Sequence, residues 1–122
     1  MMDKYQILTL NQISSHGLHR FPAARYAYGK AIEHPDAILV RSHDMHAMEI
    51  PATVKAIGRA GAGTNNIPVA AMSKRGVPVF NAPGANANAV KELVLAALLM
   101  AARNVVPALD YVARLDPGSP DL

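Results

Sequence analysis

The sequence predicts a small, doubly wound α/β sheet of parallel strands, and three observations carry that prediction. The run Ala37–Val40 (AILV) is apolar throughout, as expected of a central strand covered on both faces. The stretch from Val54 to Asn88 reads as strand, loop, helix, strand, loop, which requires a parallel pair joined by a crossover. Short apolar runs alternate with helical patterns along the first two thirds of the chain, the order expected of an α/β sheet.

Lys4–Leu10 (KYQILTL) reads as the first buried strand. Asn11–Gly17 is polar and turn-like, with Ser14 or Ser15 as cap of a short helix. In the ambiguous Phe21–Tyr28 segment, the tail Arg25–Tyr28 fits an edge strand with Arg25 in solvent. Glu33-His34-Pro35-Asp36 is a turn, because a residue before proline avoids the helical region. After Ala37–Val40 comes a polar cluster, Arg41-Ser42-His43-Asp44, and then a short helix over Met45–Ile50, stopped by Pro51. Val54–Ile57 and Val77–Phe80 are the next strands, separated by a helix over Pro68–Lys74 that Gly76 closes.

Ala89–Ala102 is helical, with Asn86 or Asn88 as N-cap. Twelve of its fourteen residues are apolar, Lys91 and Glu92 being the exceptions. A helix apolar nearly all round needs cover on several sides. One small sheet covers one side, so a second domain or a second copy of the chain is expected on the rest. Arg103-Asn104 ends this helix. A further short helix is expected over Ala108–Leu115, and Asp116–Asp121 has the composition of a linker, leading toward a domain that the sequence does not include.

Composition narrows the function. Of 122 residues, 51% are hydrophobic and 17% charged, a globular balance. The net charge of +3 is spread out with no Lys/Arg run, which argues against a nucleic-acid stripe but leaves enough cations for a small anion. Without cysteine there is neither a disulfide framework nor a thiolate metal site, and a reducing, cytoplasmic compartment is expected. The N-terminus has Asp3 and no long apolar core, so it does not read as a signal peptide. The longest apolar run, Leu93–Ala102, is half of the ~20 residues that span a bilayer.

The candidate site lies where the strands end, since ligands of open α/β sheets sit beyond the carboxyl ends of the strands. Arg41 offers a guanidinium that can hold a phosphate or carboxylate bidentately, and Ser42 adds a hydroxyl. A solvated arginine and a turn-forming serine would satisfy the same pattern. Arg59 leads into Ala60-Gly61-Ala62-Gly63, where small residues let backbone N–H groups converge on an anion; a plain strand-to-helix turn is the simpler alternative. Asn81, Pro83 and Gly84 form a bend read as a hinge. His43 and His46 lack a third ligand at suitable spacing, and no metal site is expected. Gly61-Ala62-Gly63-Thr64-Asn65-Asn66 fails the dinucleotide fingerprint at its sixth position.

Three motifs, ILVRS (Ile38–Ser42), IGRAGAGTNNI (Ile57–Ile67) and RGVPVFNAPGANANAVKEL (Arg75–Leu93), occur in an order and spacing that resemble the N-terminal part of the D-2-hydroxyacid dehydrogenases, on their 3-phosphoglycerate-oxidising branch. The resemblance covers roughly Ala37–Asn104. It implies a flavodoxin-like substrate-binding domain over residues 1–85, an inter-domain crossing helix over 86–104, and a short helix and linker over 105–122 toward an NAD-binding Rossmann domain. It implies 3-phosphoglycerate as the substrate, oxidised to 3-phosphohydroxypyruvate with NAD, and held by Arg41, Ser42, Arg59, Ala60, Gly61, Ala62 and Gly63. The backbone of Ala62 would lie near the nicotinamide. The family's cofactor loop and its catalytic Arg, Glu and His match nothing in these 122 residues. The chain by itself is therefore expected to be inactive and to hold no NAD tightly. Family members have an aspartate where this chain has Asn65. Two other readings stand beside this one. One is a stand-alone module that binds a small anion or assembles through Ala89–Ala102. The other is a flavin-binding domain, which the poor phosphate cradle at Asn11–Gly17 disfavours.

Overall fold

A computed structural model describes residues 4–116 and Gly118. The chain forms two compact units, Met1–Ala85 and Asn86–Leu122. The first holds five strands, β1 (Tyr5–Leu10), β2 (Tyr26–Gly29), β3 (Ala37–Val40), β4 (Ala56–Arg59) and β5 (Val79–Phe80), with two short helices, α1 (Ser15–Leu18) and α2 (Val69–Lys74). All pairings are parallel, in the order β2-β1-β3-β4-β5. The connection from β1 to β2 runs one way along the sheet and the later ones run the other way. The switch point, where the order reverses, therefore falls between β1 and β3.

Register decides which residues share a face. Leu8 pairs with Ile38, Ile38 with Ile57, and Ile57 with Val79. Because side chains alternate along a strand, Leu8, Ile38, Val40 and Ile57 form one apolar surface, packed with Met45, Val54, Ile67, Met72 and Val77. Ile38, Val40, Met45 and Ile57 are fully buried there. The opposite face carries Ile7, Ala37, Leu39, Ala56, Gly58 and Phe80 in the alternate positions. It is only partly covered: Phe80 is 62% exposed, and a groove of about 460 Å³ runs along it, rimmed by Phe21, Arg25 and Tyr26. The sequence pattern had predicted cover on both faces.

Several elements differ from their expected limits. β3 occupies Ala37–Val40 as predicted, while β4 and β5 each begin two residues late. Residues before them serve the core instead: Val54 and Val77 are buried outside the strands. Met45–Ile50 is not a helix. Burial of Met45 and the bond of its N–H to the Asn66 carbonyl (2.8 Å) anchor the segment to the core as a loop. Ser14 occupies the N-cap of α1 without a side-chain hydrogen bond. Gly76, at φ +70°, ends α2 in the left-handed region that favours glycine.

The second unit has α3 (Ala87–Ala102) and α4 (Val105–Ala113). Asn86 is the N-cap residue of α3 but makes no side-chain cap bond. Asn88 lies inside the helix, where its Oδ1 accepts Lys91 Nζ at 2.6 Å and its Nδ2 donates to Glu92 Oε1 at 3.3 Å. Asn104, at φ +51°, breaks the two helices apart. α4 starts earlier than expected, since Pro107 fits the first turn, where its missing N–H is no loss. No residue of α3 is buried, and Leu93, Leu98 and Leu99 are 71%, 61% and 67% exposed. No single helix among the described residues is long and apolar enough to cross a membrane; α3 and α4 reach that only together, across a 61° bend. Most of the expected linker, Pro117 and Ser119–Asp121, lies outside the described residues.

Candidate anion site at the strand ends

The β3–β4 register sets the site. Val40 pairs with Arg59, so the chain leaves both strands at the same level and Arg41 and Ala60 begin adjacent loops. The Ala60 N–H donates to the Val40 carbonyl at 2.8 Å, and the Gly61 N–H donates back to the Arg59 carbonyl at 2.9 Å. That second bond closes a three-residue turn, whose last residue, Gly61, stands at φ +153°.

The Arg59 side chain folds over this turn. A Cβ added to Gly61 would stand 1.7 Å from Arg59 Nη1 and 2.7 Å from Cζ, so the Nη1 end of the guanidinium occupies the space that glycine leaves. Arg59 Nε is buried and has no hydrogen-bond partner among the described residues. A buried donor left unpaired costs about 1–3 kcal/mol, and such donors call for an acceptor. Arg41 is exposed. Among the described residues neither arginine has a carboxylate at ion-pair distance, so this edge of the sheet is uncompensated positive charge.

The loop's donors are fewer than its sequence suggests. Ala60 and Gly61 spend their N–H groups as above, and Ser42 N–H donates to Asn11 Oδ1 at 2.9 Å, leaving Ser42 its hydroxyl. The N–H groups of Ala62 and Gly63 meet no protein acceptor among the described residues. Thus Arg41, Ser42, Arg59 and Ala60–Gly63 gather at one edge, and the free groups there are two guanidinia, a hydroxyl and two backbone amides.

Two asparagines that sequence reasoning passed over hold this edge together. Asn11 sits at φ +66°, where its side chain bridges the switch point to the β3 loop. Asn66 donates Nδ2 to the His43 carbonyl at 2.8 Å and the Arg41 carbonyl at 3.4 Å. The signal for Asn11 was available, since asparagine directly after an apolar strand suits the left-handed region. Asn66 had none, its partners being 23 and 25 residues away. His46 Nε2 lies 3.0 Å from the Asn65 carbonyl. Among the described residues no three His, Asp or Glu side chains approach as a metal site would require. Asn81, after β5, donates Nδ2 to the Ala62 carbonyl at 2.7 Å, and Gly84 turns the chain at φ +77°.

The loop Gly61–Asn66 does not fit a dinucleotide. Ile67 N–H closes a turn on Thr64 (3.0 Å) where a helix would have to open, and α2 starts only at Val69. The profile of the D-isomer specific 2-hydroxyacid dehydrogenase catalytic domain matches residues 10–113. The chain belongs to the D-isomer specific 2-hydroxyacid dehydrogenase family. Within that family, a D-3-phosphoglycerate dehydrogenase of Archaeoglobus fulgidus is 41% identical over 76 residues, 60% of this chain and 14% of that protein. One of Methanocaldococcus jannaschii is 40% identical over 86 residues, 68% of this chain and 16% of the other. A hydroxypyruvate reductase of Thermotoga maritima is 37% identical over 82 residues, 65% and 27% of the two. The chain therefore spans a small part of the length of these 2-hydroxyacid dehydrogenases.

Proposed function

We propose that this chain is the N-terminal substrate-binding part of an NAD-dependent D-3-phosphoglycerate dehydrogenase, and that its strand-end loops hold the phosphate and carboxylate of 3-phosphoglycerate. One observation carries the reading: the orphaned Arg59 Nε lies in the loop that also presents the free N–H groups of Ala62 and Gly63. An anion seated there gives a buried donor its acceptor and meets Arg41 and the Ser42 hydroxyl from the neighbouring strand end. Such contacts would fix the carbinol carbon in place, a positioning contribution to catalysis.

On this reading residues 1–85 are the substrate-binding domain, 86–104 the helix crossing to a cofactor domain, and 105–122 the connection onward. Asn81, Pro83 and Gly84 are the hinge, for which the left-handed Gly84 supplies a bend. NAD is assigned to that other domain, with Ala62 facing its nicotinamide. Hydride transfer and proton abstraction are assigned to residues outside this sequence. On this reading the compartment is cytoplasmic.

The test is titration of 3-phosphoglycerate into the 122-residue chain, followed by NMR. The amides of Arg41, Ser42 and Gly61–Gly63 are expected to shift, and Arg59→Ala is expected to abolish the response. A well-dispersed spectrum that does not respond would overturn the substrate assignment for this chain. The exposed leucines of α3 favour a second reading, an assembly module. It predicts a concentration-dependent sedimentation coefficient that Leu98→Asp reduces to the monomer value.

A further inference from the structure

The geometry points to Asn81 as the positioning residue that aims the Ala62 and Gly63 amides. The inference rests on the anion-site reading above and adds a residue from a third strand end. Two bonds tie the loop after β4 to the segment after β5: Asn81 Nδ2 donates to the Ala62 carbonyl at 2.7 Å, and Ala82 N–H donates to the Gly61 carbonyl at 2.9 Å.

Their consequence follows from the planar trans peptide. In such a unit the C=O and the following N–H point in opposite directions. Holding the Ala62 carbonyl toward Asn81 turns the Gly63 N–H away from it. Holding the Gly61 carbonyl toward Ala82 does the same for the Ala62 N–H. The two adjacent carbonyls are thus drawn to one side, and the two N–H groups are left facing the other without a protein acceptor among the described residues. Two successive N–H groups facing one way form an anion-binding concavity.

Glycine makes this arrangement possible and Asn81 makes it definite. Gly61 and Gly63 flank Ala62 and permit more than one peptide orientation. Without the Asn81 amide, the Ala62–Gly63 unit has no other partner among the described residues that selects between orientations. The main-chain bond from Ala82 survives any substitution at position 81, so the Ala62 N–H keeps part of its alignment. The identity of the donor is fixed by chemistry, since a carbonyl accepts only from the NH₂ half of the amide.

The experiment compares the 122-residue chain with Asn81→Ala and Asn81→Asp, the latter close in shape but lacking the donor. Without ligand, NMR is expected to show a scalar coupling across the hydrogen bond from Asn81 Nδ2 to the Ala62 carbonyl carbon. Both variants are expected to shift the Gly63 amide while β1 and β3 signals stay in place. With 3-phosphoglycerate, Asn81→Ala is expected to bind about tenfold more weakly, the scale of one lost hydrogen bond, and Asn81→Asp more weakly still, because its carboxylate also repels the anion. Unmoved ligand-free Gly63 signals in both variants, or unchanged affinity, would overturn the assignment. If the wild-type chain binds no 3-phosphoglycerate, the anion-site reading fails instead, and the ligand-free signals still decide whether Asn81 sets the loop.

Discussion

Asn11 closes the switch point of the sheet by accepting the N–H of Ser42 on its side-chain oxygen at 2.9 Å. The same oxygen accepts the His43 N–H. Ligands of open α/β sheets commonly enter at that gap; here a side chain fills it, and the free donors lie one strand further on, between β3 and β4. Asn11 has two duties, holding φ +66° and supplying the acceptor. Substitutions separate them. Asn11→Ala loses both and is expected to cost about 2–3 kcal/mol. Asn11→Gly keeps the conformation and is expected to cost about 1 kcal/mol. Asn11→Asp keeps both and is expected to be near neutral. Urea unfolding gives the ranking, and equal losses for Ala and Gly would show that the acceptor alone matters.

Gly61 and Gly58 are three residues apart and predict opposite outcomes. At Gly61 a methyl group would collide with the Arg59 guanidinium at 1.7 Å, in a backbone at φ +153°. Arg59 would have to leave its place over the loop. Gly61→Ala is therefore expected to weaken 3-phosphoglycerate binding at least about tenfold, through lost hydrogen bonds to a charged group. At Gly58 the new methyl would meet only Leu39 Cδ2, at 2.9 Å. That methyl is the end of a side chain on the partly open face, and it can swing aside. Gly58→Ala is expected to leave binding unchanged. Calorimetry on both variants tests the pair, and an equal loss in both would argue that any disturbance of β4, not displacement of Arg59, is what matters.

The sequence made the sheet legible because its central strand is short and purely apolar. Ala37–Val40 showed its limits since polar residues bound it on both sides. Val54 and Val77 misled because buried residues need not lie in strands; each belongs to the core while its main chain is still in a loop. The candidate site was legible as residue types, since arginine, serine and glycine at strand ends suit an anion. Which of their groups are free was not. That depends on partners such as Asn11 and Asn81, 31 and 19 residues distant, and periodicity carries no information about such pairings. Met45 was read as helical because apolar spacing alone cannot tell a helical turn from a loop anchored by one buried side chain.

Ile57 and Leu98 are both aliphatic, and the structure assigns them different weights. Ile57 is fully buried at the centre of the sheet, whereas Leu98 is 61% exposed on α3. Ile57→Ala leaves a cavity and is expected to cost about 2–5 kcal/mol. Leu98→Ala is expected to cost less than about 0.5 kcal/mol in dilute solution, the ordinary range for surface positions. Thermal unfolding at two protein concentrations checks this. A larger Leu98→Ala loss that grows with concentration would mean that a second copy covers the helix.

The Asp36–Lys55 pair gives a pH dependence whose sign follows from its geometry. Lys55 Nζ donates to Asp36 Oδ1 at 2.7 Å, and the Gln6 N–H donates to Oδ2 at 2.9 Å. One carboxylate thus joins the starts of β1, β3 and β4. The Lys55 hydrogen bond first, then that of Gln6, holds the Asp36 carboxyl below its ordinary value, against a smaller opposing effect of burial. A carboxyl whose folded value lies below its unfolded one stabilises the protein above the unfolded value, about 3.9, and loses that contribution as pH falls through the folded value. Lys55 is shifted up by the same bond, so its contribution is full below its unfolded value and is lost only as pH rises through the folded one. Unfolding free energy is therefore expected to be flat near neutrality for this pair and to drop on acidification. Asp36→Asn removes the titrating group and is expected to flatten the acid limb while lowering stability at pH 7. Lys55 is largely exposed, at 70%, so solvent screening is expected to keep the pH 7 difference small. Urea titrations between pH 3 and pH 7 on both proteins measure it, and parallel acid limbs would place the titration elsewhere.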